Sequence, residues 1–142
     1  MRKRILVLAA LLGAVGAIGI TTAATAKTAP VQLTFHKQAV GPGVWSGTVA
    51  GDIDGALTTR LLSLDDRKPV WRVTFDWIVD AGPQSFTARL RGTLDTTTGA
   101  VAMKGHVIDG HLLGAKVRES GRLVDPATSA FEGTIDVFPH GA

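Results

Sequence analysis

Cysteine is absent from this 142-residue chain. Neither a disulfide nor a lipid-modified N-terminal cysteine is therefore available, and packing and hydrogen bonds must hold the fold together. An excess of basic charge is missing as well once the chain is divided. The 15 Lys and Arg outnumber the 12 Asp and Glu by three, and Arg2, Lys3 and Arg4 supply that surplus. The remainder is close to neutral, so no basic nucleic-acid surface is expected. No stretch after residue 26 has helical apolar periodicity, which argues against an α-helical domain. Ser46, Ser85 and Ser120 stand outside any nucleophile-elbow pattern, so hydrolase chemistry has no support.

What is present begins with a basic trio, an uncharged and mostly aliphatic run from Ile5 to Ile20, and small residues ending in Ala24-Thr25-Ala26. That order describes a secretory signal peptide over residues 1–26, and implies a secreted or extracytoplasmic protein with no stable membrane insertion after cleavage. The alternative is an uncleaved segment anchoring the protein, because about twenty uncharged residues can span a bilayer. Removal of 1–26 leaves enough chain for one domain with a real core. Residues 27–41 read as a linker and first strand, and 42–142 as a β-barrel domain.

A pattern of large apolar residue, any residue, Gly, Thr, aliphatic occurs as Trp45 to Val49, Leu90 to Leu94 and Phe131 to Ile135, with a looser copy at Met103 to Val107. On a strand the large residue, the Gly and the aliphatic share one face. A glycine on the apolar face marks a place where the strand bends or a neighbouring backbone comes close. Repeated from strand to strand, such bends coil a sheet until it closes. Eight alternating segments are expected, the first over Val31–Lys37 and the clearest with Trp71, Val73, Phe75, Trp77 and Val79 on one face. Short turns such as Asp65–Pro69, Asp95–Gly99 and Asp125–Thr128 separate them. The fold class predicted is all-β, a single eight-stranded antiparallel up-and-down barrel. A β-sandwich is the alternative architecture.

The expected inward faces supply Trp45, Trp71, Phe75, Trp77, Phe86, Met103 and Phe131, a lining suited to a small hydrophobic or aromatic ligand and equally to a packed core. Glu119 falls between Val117 and Gly121 on an otherwise apolar face. An unpaired buried carboxylate costs several kcal/mol or takes up a proton, so Glu119 needs a partner or a raised pKa. It is the candidate catalytic group, with Arg60, Arg72 and Arg89 as partners if a bulge turns one of them inward. Asp52 and Asp54 resemble the opening of a calcium loop but lack its further ligands, so a tight turn is expected. His106, Asp109 and His111 do not have a diagnostic metal spacing. No metal and no cofactor is expected. Arg89, Arg91, Lys116, Arg118 and Arg122 point outward, balanced by Glu132 and Asp136.

The run from Leu90 to Ile135, with its L-x-G-T-L-D-x-x-T-G hairpin, G-H-V-I-D-G and closing G-R-L-V-D-P-x-T-x-x-F-E-G-T-I, resembles the allene oxide cyclase and dirigent-like barrel superfamily. The resemblance implies an eight-stranded barrel with a cavity, a homo-oligomer that is trimeric in plant members, and chemistry on hydrophobic reactive intermediates. No catalytic motif of that family matches, and the chain has no Tyr or Asn, two residue types such pockets commonly use. Gly43-Val44-Trp45 is similar to the G-x-W of lipocalins, and a lipocalin-like barrel is a further alternative. The function expected is an exported barrel that binds a small hydrophobic ligand or serves as an oligomeric scaffold. The enzymatic alternative is an isomerase or cyclase using Glu119.

Overall fold

The structure, a computed structural model, describes residues 29–139. Residues 1–26, expected from the sequence to be a signal peptide, lie outside the described residues. The eight strands are β1 (Val31–Gly41), β2 (Val44–Gly51), β3 (Gly55–Asp65), β4 (Val70–Asp80), β5 (Phe86–Asp95), β6 (Ala100–Gly110), β7 (Lys116–Asp125) and β8 (Ala130–Phe138). Each pairs antiparallel with its sequence neighbours, and β8 pairs with β1 to close the barrel. A single 3-10 turn, Gly82–Gln84, joins β4 to β5. The closed order excludes the two-layer sandwich and matches the up-and-down barrel that the alternating pattern predicts.

Period-two burial carries the fold. On β4, Val73, Phe75, Trp77 and Val79 are buried while Thr74, Asp76 and Ile78 between them are half-buried. The repeated glycine lies on the same inner face. A Cβ on Gly47 would overlap the carbonyl oxygen of His36 on β1, because the neighbouring backbone approaches too closely for any side chain. Such approaches let a sheet curl tightly enough for eight strands to meet.

Two bulges adjust this pattern. The β1/β2 register shifts around Val40, and β1 runs four residues beyond the expected end at Lys37. The β3/β4 register shifts between Leu61 and Ser63, so that Leu61 faces Phe75 and Leu64 faces Val73. The extra residue, Leu62, is pushed outward, and Leu64 comes round to the inner face.

Because the strands alternate in direction, the barrel has two distinct poles. One carries the β2–β3, β4–β5 and β6–β7 turns, together with the start of β1 and the end of β8. That pole is packed: Ile53 folds in from the β2–β3 turn and is 2% exposed, above Leu57, Val79, Phe86, Val107 and Val137. The other pole carries the β1–β2, β3–β4, β5–β6 and β7–β8 turns. Packing there is incomplete, and the polar interior residues lie toward it.

Candidate functional site

A cavity of about 110 Å³ occupies the second pole, lined by Trp45, Leu61, Leu64, Trp71, Val73, Phe75, Leu94, Val101, Met103, Ser129 and Phe131, with Lys37 and Glu119. These lining residues lie on the barrel wall toward the same four turns. The cavity is somewhat smaller than an engineered apolar cavity of about 150 Å³ that admits benzene.

Lys37 reaches the interior by simple alternation, two residues beyond Phe35 on β1. It is 4% exposed, opposite Gly47 on β2 and Phe131 on β8. Its ammonium donates to the Thr59 hydroxyl at 3.2 Å, and Thr59 is itself fully buried. Five aromatic rings surround the same nitrogen: Trp77 at 4.8 Å, Phe75 at 5.0 Å, Trp45 at 5.7 Å, Phe35 at 5.8 Å and Phe131 at 5.9 Å from their centroids. Ring quadrupoles attract a cation, each contact contributing about 0.5–2 kcal/mol. They offset only part of the cost of removing an ammonium from water. Burial accordingly lowers the Lys37 pKa from 10.5 to about 8, against the opposing pull of Glu119.

Glu119 lies on β7, 2% exposed, opposite Met103 on β6 and Ile135 on β8. Its Oε1 has no hydrogen-bond partner. Burial raises its pKa from 4.5 to about 7, with Lys37 pulling the other way. The two charges influence each other without touching: the ion pairs within 4.0 Å among the described residues are Arg67–Asp65 and Arg89–Asp76. Gly121, two residues from Glu119 on the same face, leaves the space that Phe35 fills. A Cβ there would stand 2.9 Å from the tip of that ring.

The aromatic wall adds hydrogen-bonding capacity. Trp45 donates its indole N–H to the Ser129 carbonyl at 3.0 Å, which fixes the ring at the mouth. The indole N–H of Trp71 is buried without a partner. Buried polar atoms are normally paired, so the unpartnered Trp71 N–H and Glu119 Oε1 and the singly bonded Lys37 ammonium make this a polar site inside an apolar one.

Of the seven aromatic and Met positions expected to line the interior, the structure brings Trp45, Trp71, Phe75, Met103 and Phe131 to the cavity. Trp77 and Phe86 are buried in the packed interior instead; Trp77 stands edge-on to Phe35 with centroids 4.9 Å apart. Glu119 is at the cavity, but the expected arginine partners are not. Arg60 and Arg72 are exposed, and Arg89 pairs with Asp76 at 2.8 Å across the β4/β5 ladder on the outer face. The cation that faces Glu119 is Lys37, whose sequence signal was its parity with Leu33 and Phe35. Asp52 and Asp54 accept backbone N–H groups from Gln32 and Gly51, at 2.9 and 3.0 Å, as turn residues do. Outward on β7 and β8, Arg118 lies opposite Asp136 and Arg122 opposite Glu132.

No protein-family model, curated protein or solved structure matches the chain.

Proposed function

We propose that the barrel binds a small, mainly apolar molecule carrying one polar group, seated in the cavity at the pole opposite the start of β1 and the end of β8. The single observation that supports this reading is the composition of the cavity wall. Trp45, Trp71, Phe75 and Met103 offer flat, polarizable surface, while Lys37 and Glu119 supply a donor and an acceptor at the same small volume. The size selects the ligand class: about 110 Å³, below the about 150 Å³ that admits benzene, suits a guest of benzene's size at most rather than a drug-sized one, whose pockets start near about 300 Å³. Export follows from the basic, apolar and small-residue order of residues 1–26, and assembly into a homo-oligomeric scaffold from the resemblance to dirigent-like barrels.

Tryptophan emission tests the reading, because two of the three indoles line the cavity. Titration with a panel of benzene-sized alcohols, phenols and aldehydes is expected to give saturable quenching by at least one class. Val101→Phe, which fills the cavity from β6, is expected to abolish it. A panel without saturable quenching, or quenching unaffected by Val101→Phe, counts against the cavity as a binding site.

A second reading, an isomerase or cyclase, is favoured by one specific feature, the Glu119 carboxyl with an unpartnered oxygen inside the cavity. A carboxyl whose pKa is raised to about 7 can both give and accept a proton near neutrality. In that reading Glu119→Gln removes turnover while the thermal unfolding transition remains cooperative.

A further inference from the structure

We infer that Lys37 is a carbonyl-capturing amine, forming a Schiff base with small apolar aldehydes that enter the cavity, with Glu119 as the proton carrier. The inference rests on the cavity being a binding site, and goes beyond it by naming the reacting atom and the ligand class.

Geometry carries the argument. A lysine held in a protein interior normally ends in a carboxylate ion pair or reaches out to water. Lys37 does neither: its nitrogen has one neutral hydroxyl partner and a ring of five aromatic faces, and its side chain lines a cavity. Desolvation in such surroundings favours the uncharged amine, the form that attacks carbonyl carbon. Glu119 lines the same cavity from β7, two strands round the wall from Lys37 with β8 between them, and has an oxygen free to exchange a proton. Among the described residues these are the two titratable groups lining it. An aldehyde with an aromatic or short aliphatic body matches the remaining wall, and being uncharged it adds no third charge to the site.

The step balances with the groups present. The Lys37 nitrogen adds to the carbonyl carbon, a C–N bond forms, and the carbonyl π pair moves to oxygen. A proton passes from nitrogen to that oxygen through Glu119, giving the carbinolamine. The acid form of Glu119 then protonates the departing hydroxyl, the C–O bond breaks, and water leaves. The resulting carboxylate takes the remaining proton from nitrogen, so Glu119 ends as it began. Amine and aldehyde become imine and water with no change in oxidation state.

The test uses wild-type protein purified from cells expressing the full chain, treated with benzaldehyde or butanal and sodium cyanoborohydride near neutral pH and mapped by peptide mass spectrometry. Reductive labelling is expected at Lys37 at least about tenfold faster than at the exposed Lys68, Lys104 and Lys116, because its pKa, lowered from 10.5 to about 8, leaves more free amine near neutrality. Labelling spread evenly over the lysines overturns the proposal. Benzyl alcohol, the alcohol counterpart of benzaldehyde that cannot form an imine, separates the two levels of the reading. If it quenches Trp emission saturably while Lys37 stays unlabelled, the cavity binds and the lysine is structural, so this inference fails alone. If neither reagent has an effect, the inference and the binding reading fall together. Glu119→Gln is expected to slow Lys37 labelling about a hundredfold while leaving benzyl alcohol quenching in place; an unchanged labelling rate removes Glu119 from the mechanism and overturns that half of the proposal.

Discussion

Lys37 and Glu119 make opposite demands on pH. The Glu119 carboxyl is raised from 4.5 to about 7, so the folded state holds a proton that the unfolded state has released. Its contribution to stability is full below about pH 4.5 and is lost as pH rises through about 7. The Lys37 ammonium is lowered from 10.5 to about 8, so here the unfolded state holds the extra proton. That contribution is full above about pH 10.5 and is lost as pH falls through about 8. The two together place a stability minimum between about pH 7 and 8, the range in which both groups are charged inside the barrel. Asp65, whose pairing with Arg67 holds its pKa near about 2, acts only below that window. Urea unfolding is expected to give a higher midpoint at about pH 5.5 and at about pH 9.5 than at about pH 7.5; a monotonic profile would contradict the assignment. At about pH 7.5, Lys37→Met alone is expected to lower the urea midpoint and to cost less than the about 3–5 kcal/mol of a broken contact ion pair, because it removes the cation whose charge offsets the buried Glu119 carboxylate without touching it. The Lys37→Met/Glu119→Gln double variant is expected to recover most of that loss, so a double-mutant cycle from the same urea curves reads the coupling directly.

At the scale of the strand, glycine placement decides how far the sheet can coil. Gly47→Ala would drive a methyl group into the His36 carbonyl on β1, and backbone on a neighbouring strand yields less readily than a side chain. The expected loss is about 2 kcal/mol or more in urea, whereas Gly41→Ala, with open space around it, is expected to change stability by less than about 1 kcal/mol. The same scale explains what could be read in advance. Alternation on β4 and the repeated Gly-Thr pattern on β2, β5 and β8 made the barrel legible, because each states which face is apolar. Neither says how deep along the axis a residue lies. Trp77 and Phe86 therefore share a face with Trp45 and Phe75 without reaching the cavity, and the choice between a filled and a hollow barrel could not be made from pattern alone. Lys37 was legible by parity yet sat at the expected end of its strand, where a charge looks like a boundary. Leu64 was not legible: its inward turn depends on the bulge at Leu62, and bulges respond to the partner strand as much as to their own sequence.

On the scale of the whole molecule, closure joins the first strand to the last. Seven residue pairs, from Phe131 with Lys37 to Val137 with Val31, form the β8/β1 seam. Hydrogen exchange is expected to protect amides along that seam to the same degree as those of the β5/β6 ladder; fast exchange confined to β1 and β8 would indicate an open sheet. The surface is uneven in one respect. Val40, Leu62, Leu64, Val70 and Val124 are exposed large hydrophobic residues around the cavity pole, against Ile108 and Leu113 toward the other. An even number of antiparallel staves also brings the chain in at Val31 and out at Phe138 beside the sealed floor. Among the described residues the rim of the cup is therefore built from hairpin turns alone, and both loose threads of the barrel start from its base.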